Sequence, residues 1–192
     1  AWNMPNRLNF LTIVPMFHCN GWCYPWTIPM LNGRTICLRN IDVKKIFELI
    51  DKYNVTHFGG APIILNMLTG APEADRKKLK NKVYVLTAGA PPPSIIFKKM
   101  KDLGFEVMHV YGLTETYGHV TQCAWNDEWN DFDEEKQNEI KARQGVRYPN
   151  TEGVTIMDPE TMKEVPRDGK TIGEIMIRGN VVMKGYFKDK AA

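Results

Sequence analysis

A chain of 192 residues, 43% hydrophobic and with a net charge of +3, can bury a sizeable core as one large domain or two small ones. Its 25 basic and 22 acidic residues are intermixed, so no basic stripe marks it for nucleic acid, and no apolar run approaches the roughly 20 residues that cross a bilayer. Four cysteines at this length do not make a disulfide scaffold and point to a reducing compartment.

The opening "AWNMPNRLNFLTIVPMF" lacks the basic region, apolar core and small-residue cleavage site of a secretory signal. Within it "NFLTIVPMF" reads as a strand broken by Pro15, and a second short strand follows the Asn32-Gly33 turn signal, in "RTICL". Between them His18, Cys19 and Cys23 cluster in "FHCNGWC", but no second ligand pair lies downstream, so the pattern falls short of a structural zinc site. The next stretch, "DVKKIFELIDKYN", is the clearest helix. Asp42 is its N-cap, and Val43, Ile46, Phe47, Ile50 and Tyr53 recur at three- and four-residue spacing to form a core-facing stripe.

"VTHFGGAPIILNMLTGAP" reads as a strand, a glycine turn and a helix with Pro62 in its first turn, where a missing amide hydrogen does no harm. After the solvated charges of "DRKKLKNK", "KVYVLTAGAPPP" is a buried-type strand opening into Gly89-Ala90-Pro91. The helix "SIIFKKMKDLG" then starts near Ser94 and is capped by Gly104, and "FEVMHVYG" is the next strand. Strand, helix and strand alternate at the spacing of parallel crossover units from about residue 55 to 118. The acidic "DEWNDFDEEKQNEIKARQG" reads as a loop with a short helix. From Gly145 the chain reads as β hairpins punctuated by Asp158-Pro159 and Asp168-Gly169. The expected architecture is α/β: a parallel-rich sheet flanked by helices over residues 1–144, followed by a small β-rich subdomain over 145–192.

Ligands of open parallel sheets sit at the carboxyl ends of the strands. Two loops are expected there: Gly89-Ala90-Pro91, and Tyr111-Gly112-Leu113-Thr114-Glu115 after the following strand. Glycines let the backbone approach a flat ligand, and a tyrosine ring offers a purine a stacking face. Thr114 brings a hydroxyl, and Glu115 a hard anionic oxygen of the kind that binds Mg²⁺ together with substrate phosphates. The same Thr-Glu pair is also what an ordinary helix start uses, the hydroxyl as cap and the carboxylate facing the helix dipole.

Taken in order, "PMFHCNGW", "TAGAPPP", "VYGLTET" and "GEIMIRGNVVMKGY" resemble the adenylate-forming acyl-activating enzymes, and "CAWNDEWNDFDEEKQNEIKARQGV" is similar to plant members of the butyrate or benzoate CoA ligase type. The resemblance covers essentially the whole chain. It implies an enzyme that uses ATP, Mg²⁺ and CoA, joins a small carboxylic acid to AMP, and passes the acyl group to the CoA thiol. It further implies that Thr114 contacts phosphate and that Glu115 carries the metal. Tyr111 and Gly112 would lie against the adenine, with Gly89, Ala90 and Pro91 as the opposite wall. His18 would stand at the acyl pocket, with Phe58, Gly59, Gly60 and His109 lining it.

The family's Gly-rich phosphate loop with its lysine, its ribose-binding aspartate and its small lysine-bearing C-terminal domain have no counterpart among these 192 residues. The chain is therefore expected to match the later half of the large domain, and to be inactive by itself. A noncatalytic nucleotide-binding module, or an adenylating enzyme with another acceptor, stays open on the residues alone. The expected compartment is cytoplasmic or peroxisomal, the address lying beyond the residues read here.

Overall fold

The computed structural model describes residues 2, 4–18, 21 and 23–189. Among these described residues, seven strands form one sheet: β1 (Asn9–Thr12), β2 (Arg34–Cys37), β3 (His57–Gly59), β4 (Val83–Thr87), β5 (Phe105–Leu113), β6 (Gly118–Gln122) and β7 (Val146–Arg147). Their order is β2-β1-β3-β4-β5-β6-β7. The first five pair in parallel, and β6 and β7 add antiparallel. A separate antiparallel pair, β8 (Gly153–Met157) with β9 (Glu174–Arg178), follows. The expected α/β fold with a small β-rich portion after it is what the chain adopts; β7, just past Gly145, joins the large sheet rather than the hairpin.

Among the described residues, five α-helices connect these strands: α1 (Tyr24–Met30), α2 (Val43–Tyr53), α3 (Pro62–Thr69), α4 (Ser94–Asp102) and α5 (Glu134–Lys141). α2 forms as its sequence dictates. The Asp42 carboxylate accepts the Lys45 N–H at 2.8 Å, and Asn54, in the left-handed region with φ 49°, closes the other end. Pro62 opens α3, and Gly104, with φ 92°, turns the chain after α4. α1, in "YPWTIPM", is an element not read from the sequence; Pro25 falls in its first turn, where no amide is needed, Pro29 lies inside it, and Thr27 Oγ1 donates to the Cys23 carbonyl at 2.6 Å.

Period-two alternation in the strands divides the core. Leu11, Phe58, Val85 and Val107 face α2, α3 and α4, where Ile46, Phe47, Leu65, Leu68, Phe97 and Met100 meet them in one continuous cluster. On the opposite face Leu8 and Phe10 pack against Tyr24 and Ile28 of α1. No described helix is long and apolar enough to cross a membrane.

His57 lies on the α1 face, buried, its ring stacked on Tyr84 at 5.0 Å and met edge-on by Trp2. Burial holds its imidazole down at about 4. Between the ordinary imidazole value near 6.5 and pH 4 the unfolded chain therefore binds a proton that the native one refuses. Stability contributed by His57 is complete above about pH 6.5 and falls as the pH falls toward 4. We expect urea unfolding midpoints to decline across this window. His57→Phe should flatten the dependence by up to about 1.4 kcal/mol per pH unit; an unchanged slope would show that the proton goes elsewhere.

Candidate functional site

β1 leads to β2 on one side and its other neighbour β3 leads to β4 on the other, so the connections of these adjacent strands depart in opposite directions and a crevice opens at their carboxyl ends. A cavity of about 370 Å³ occupies that place, within the range of small-molecule sites. Its walls come from the residues just past β1 (Ile13, Val14), the start of α3 (Ala61, Ile63, Ile64), the residues just past β4 (Ala88, Gly89) and the β5–β6 turn with the strand ends that flank it (Leu113, Thr114, His119), and the exposed His18 completes the lining.

The β5–β6 turn is built around its own threonine. Thr114–Thr116 form a single 3₁₀ turn. Thr116 is buried; its Oγ1 accepts the Leu113 N–H at 3.0 Å and donates to the Gly118 carbonyl at 2.8 Å. Tyr117, with φ 54°, and Gly118, with φ 109°, then reverse the chain. The two threonines of "TET" thus divide their work: Thr116 closes the turn internally, leaving Thr114 on the cavity and Glu115 beside it.

Glu115 is held from a distance. Tyr186 Oη donates to its Oε1 at 2.7 Å, and this hydrogen bond holds the carboxyl below the usual range while raising the phenol. Among the described residues no three His, Cys, Asp or Glu side chains gather as a metal cluster. Cys19 lies outside the described residues, and Cys123 is a buried thiol donating to the Ile140 carbonyl at 3.2 Å. The donors that remain are hard oxygens, one carboxylate and a neighbouring hydroxyl. That set fits a Mg²⁺ ion completing its shell with phosphate oxygens and water.

The other residues singled out from the sequence are placed as follows. His18, Gly89, Gly112 and Thr114 line the cavity. Gly89, with φ 97°, leaves open space where a Cβ would stand, so a flat ligand can meet its backbone. Ala90 and Pro91 are exposed just past it. Tyr111 and Gly112 do not lie in a loop: β5 runs on through Leu113, with a bulge between them, because its last residues pair with β6. Phe58 and Gly60 are away from the cavity walls; Phe58 is fully buried, edge-on to Phe105, and Gly60 packs on Ile64. Gly59 faces Val14 and Tyr24 instead. His109 points into the helical layer, where its Nδ1 lies 2.8 Å from the Ala142 carbonyl. Parity could have shown this, since Phe105, Val107 and His109 share one face. The cavity residues that sequence reasoning passed over, Ile13 and Val14 above all, follow from applying the strand-end rule to the first strand as well.

Such a cavity, at the carboxyl edge of a doubly wound sheet and rimmed by a glycine turn and a threonine–glutamate turn, defines an α/β small-molecule-binding domain. Comparison makes this specific: residues 1–187 match the family described as AMP-binding enzyme, and the chain belongs to it. The peroxisomal acetate/butyrate–CoA ligase of Arabidopsis thaliana is 50% identical over 193 residues, covering 100% of this chain and 34% of that protein. A 2-methylpropanoate–CoA ligase of Humulus lupulus is 46% identical over 188 residues, covering 98% of this chain and 34% of the other. The chain thus spans about a third of the length of these relatives. Among solved structures, O-succinylbenzoate Coenzyme A synthetase from Bacillus subtilis, in complex with ATP and magnesium ion, superimposes with a TM-score of 0.77 at 20% identity, over 100% of this chain and 37% of that one. The likeness supports the fold.

The two glycines at the rim differ in their tolerance. An added Cβ at Gly112 would stand 2.0 Å from the Gly118 carbonyl oxygen, whereas at Gly89 it would meet only backbone strain. Gly112→Ala is expected to destabilise by more than about 3 kcal/mol, and Gly89→Ala by roughly 1–2 kcal/mol. Thermal melts of both variants check the order; equal losses would contradict the close approach of β5 and β6.

Proposed function

We propose that this chain is the part of an ATP-dependent acid–CoA ligase that holds the acyl group and the phosphate end of the nucleotide. The observation that carries the reading is the placement of the Thr114–Glu115 turn and the Gly89 turn on one cavity at the carboxyl edge of the sheet, in a chain of the AMP-binding family. The relatives' names extend it to short carboxylic acids as substrates, and the aliphatic walls at Ile13, Val14, Ile63 and Ile64 suit a short acyl chain.

In this reading the carboxylate oxygen attacks the α-phosphorus of ATP, pyrophosphate departs, and the thiol of CoA then displaces AMP from the acyl adenylate. Carboxylate and triphosphate repel, so the first step is chiefly charge management. A Mg²⁺ ion bound with the nucleotide would supply Lewis acidity and neutralise phosphate charge. The chain's own residues do the rest. The Thr114 hydroxyl would donate to phosphate, and the Glu115 carboxylate would hold the ion. Tyr111 bounds the adenine, facing Gly89, Ala90 and Pro91, while the aliphatic walls exclude water from the acyl end. His18 stands at the mouth, where acid enters. Phe58 and His109 support the site as core groups and take no part in holding substrate. The compartment proposed is cytoplasmic or peroxisomal.

The test is carboxylate-dependent exchange of pyrophosphate into ATP by the whole protein with a panel of acids from acetate upward. Short acids should support exchange, and Glu115→Ala should lower it by roughly 10²-fold or more through loss of the metal ligand. Exchange that survives Glu115→Ala unchanged would remove Glu115 from this role.

A further inference from the structure

The segment after β9 returns to the β5–β6 turn. Residues 179–189 contain no strand or helix, yet they make two hydrogen bonds to a single residue far back in the chain. Met183 donates its N–H to the Glu115 carbonyl at 2.7 Å, and Tyr186 Oη donates to Glu115 Oε1 at 2.7 Å, across 71 residues of sequence. Glu115 is gripped by backbone and side chain from the same strap.

The grip is chemically selective. A glutamate on a three-residue surface turn has three rotatable side-chain bonds, and an unheld carboxylate must lose that freedom whenever it binds an ion. The phenol takes one carboxylate oxygen and thereby fixes where the other points. Tyr186 itself is 51% exposed, so its ring adds little burial, and what distinguishes it from phenylalanine at this position is the hydroxyl. We infer that Tyr186 is a positioning residue, whose hydroxyl sets the Glu115 carboxylate for a divalent cation, an inference that rests on the proposed reading of Glu115 as the metal carboxylate. Tyr186 touches neither the ion nor the reacting atoms; it acts through Glu115.

Mn²⁺ binding to the whole protein, followed by electron paramagnetic resonance in the presence of a nonhydrolysable ATP analogue, tests this. Tyr186→Phe should weaken Mn²⁺ affinity roughly three- to tenfold. Its Tm, and the affinity for the analogue without metal, should stay at the wild-type values. A strap that merely ties the hairpin to the turn would instead lower Tm and metal-free nucleotide affinity together with Mn²⁺ affinity, and that result overturns the proposal. Glu115→Gln serves as the reference. If it loses Mn²⁺ while Tyr186→Phe retains full affinity, the role of Tyr186 falls and the metal assignment stands. If Glu115→Gln retains Mn²⁺, the metal assignment fails and takes this inference with it.

Discussion

The absence of a side chain at Gly112 lets one strand change from parallel to antiparallel pairing within the sheet. β5 pairs in parallel with β4 up to Thr87 and His109, then antiparallel with β6 from Val110 and Gln122 onward. The switch is possible because β6 comes so close that a Cβ at Gly112 would fall inside the Gly118 carbonyl. From that approach follow the tight 3₁₀ turn, the internal closure by Thr116, and the presentation of Thr114 and Glu115 at the sheet edge. Gly145, with φ 75° and a Cβ position 1.9 Å from the Gln122 carbonyl oxygen, repeats the device at the next strand crossing, so the antiparallel extension is anchored by glycine twice.

The two edges of the sheet have opposite characters. At the amino edge ion pairs gather: Asp51 with Lys77 and Lys80, Glu106 with Lys82, and, partly buried, Glu106 with Lys141. The exposed pairs contribute little each and are screened by salt, whereas the apolar cluster beneath α2, α3 and α4 holds the larger part of the buried core. The cavity at the carboxyl edge is lined instead largely by aliphatic side chains and glycines, with no Asp, Glu, Lys or Arg among its described lining residues and Glu115 next in sequence to the lining Thr114.

The parts of this arrangement that were legible in the sequence are those governed by local chemistry. Asp42, the α2 stripe, Pro62, Gly104 and the two aspartate turns are each read from a few adjacent residues, and the last are realised as Asp158 accepting from Glu160 and Thr161 and Asp168 accepting from Lys170 and Thr171. What local chemistry did not reveal depends on distant partners. β6, "GHVTQ", has no strand pattern of its own and exists because β5 and β7 flank it. Tyr111 and Gly112 look like loop residues until β6 pairs with them. His109 and Phe58 are carried into a pocket by resemblance, but strand parity turns both toward the helices. The Tyr186 contact joins residues 71 apart and leaves no trace in either neighbourhood.

That last contact also has a consequence in time. A ribosome delivers the chain from its amino end at about 5–20 residues per second. The parallel sheet through β5 and the turn at Thr114 can assemble while the hairpin is still unmade, but Glu115 cannot receive either of its two restraining hydrogen bonds until residues 183 and 186 have emerged. The scaffold of the site therefore precedes its finishing contact. A nascent protein passes through a stage in which the cavity exists and its carboxylate is still unset.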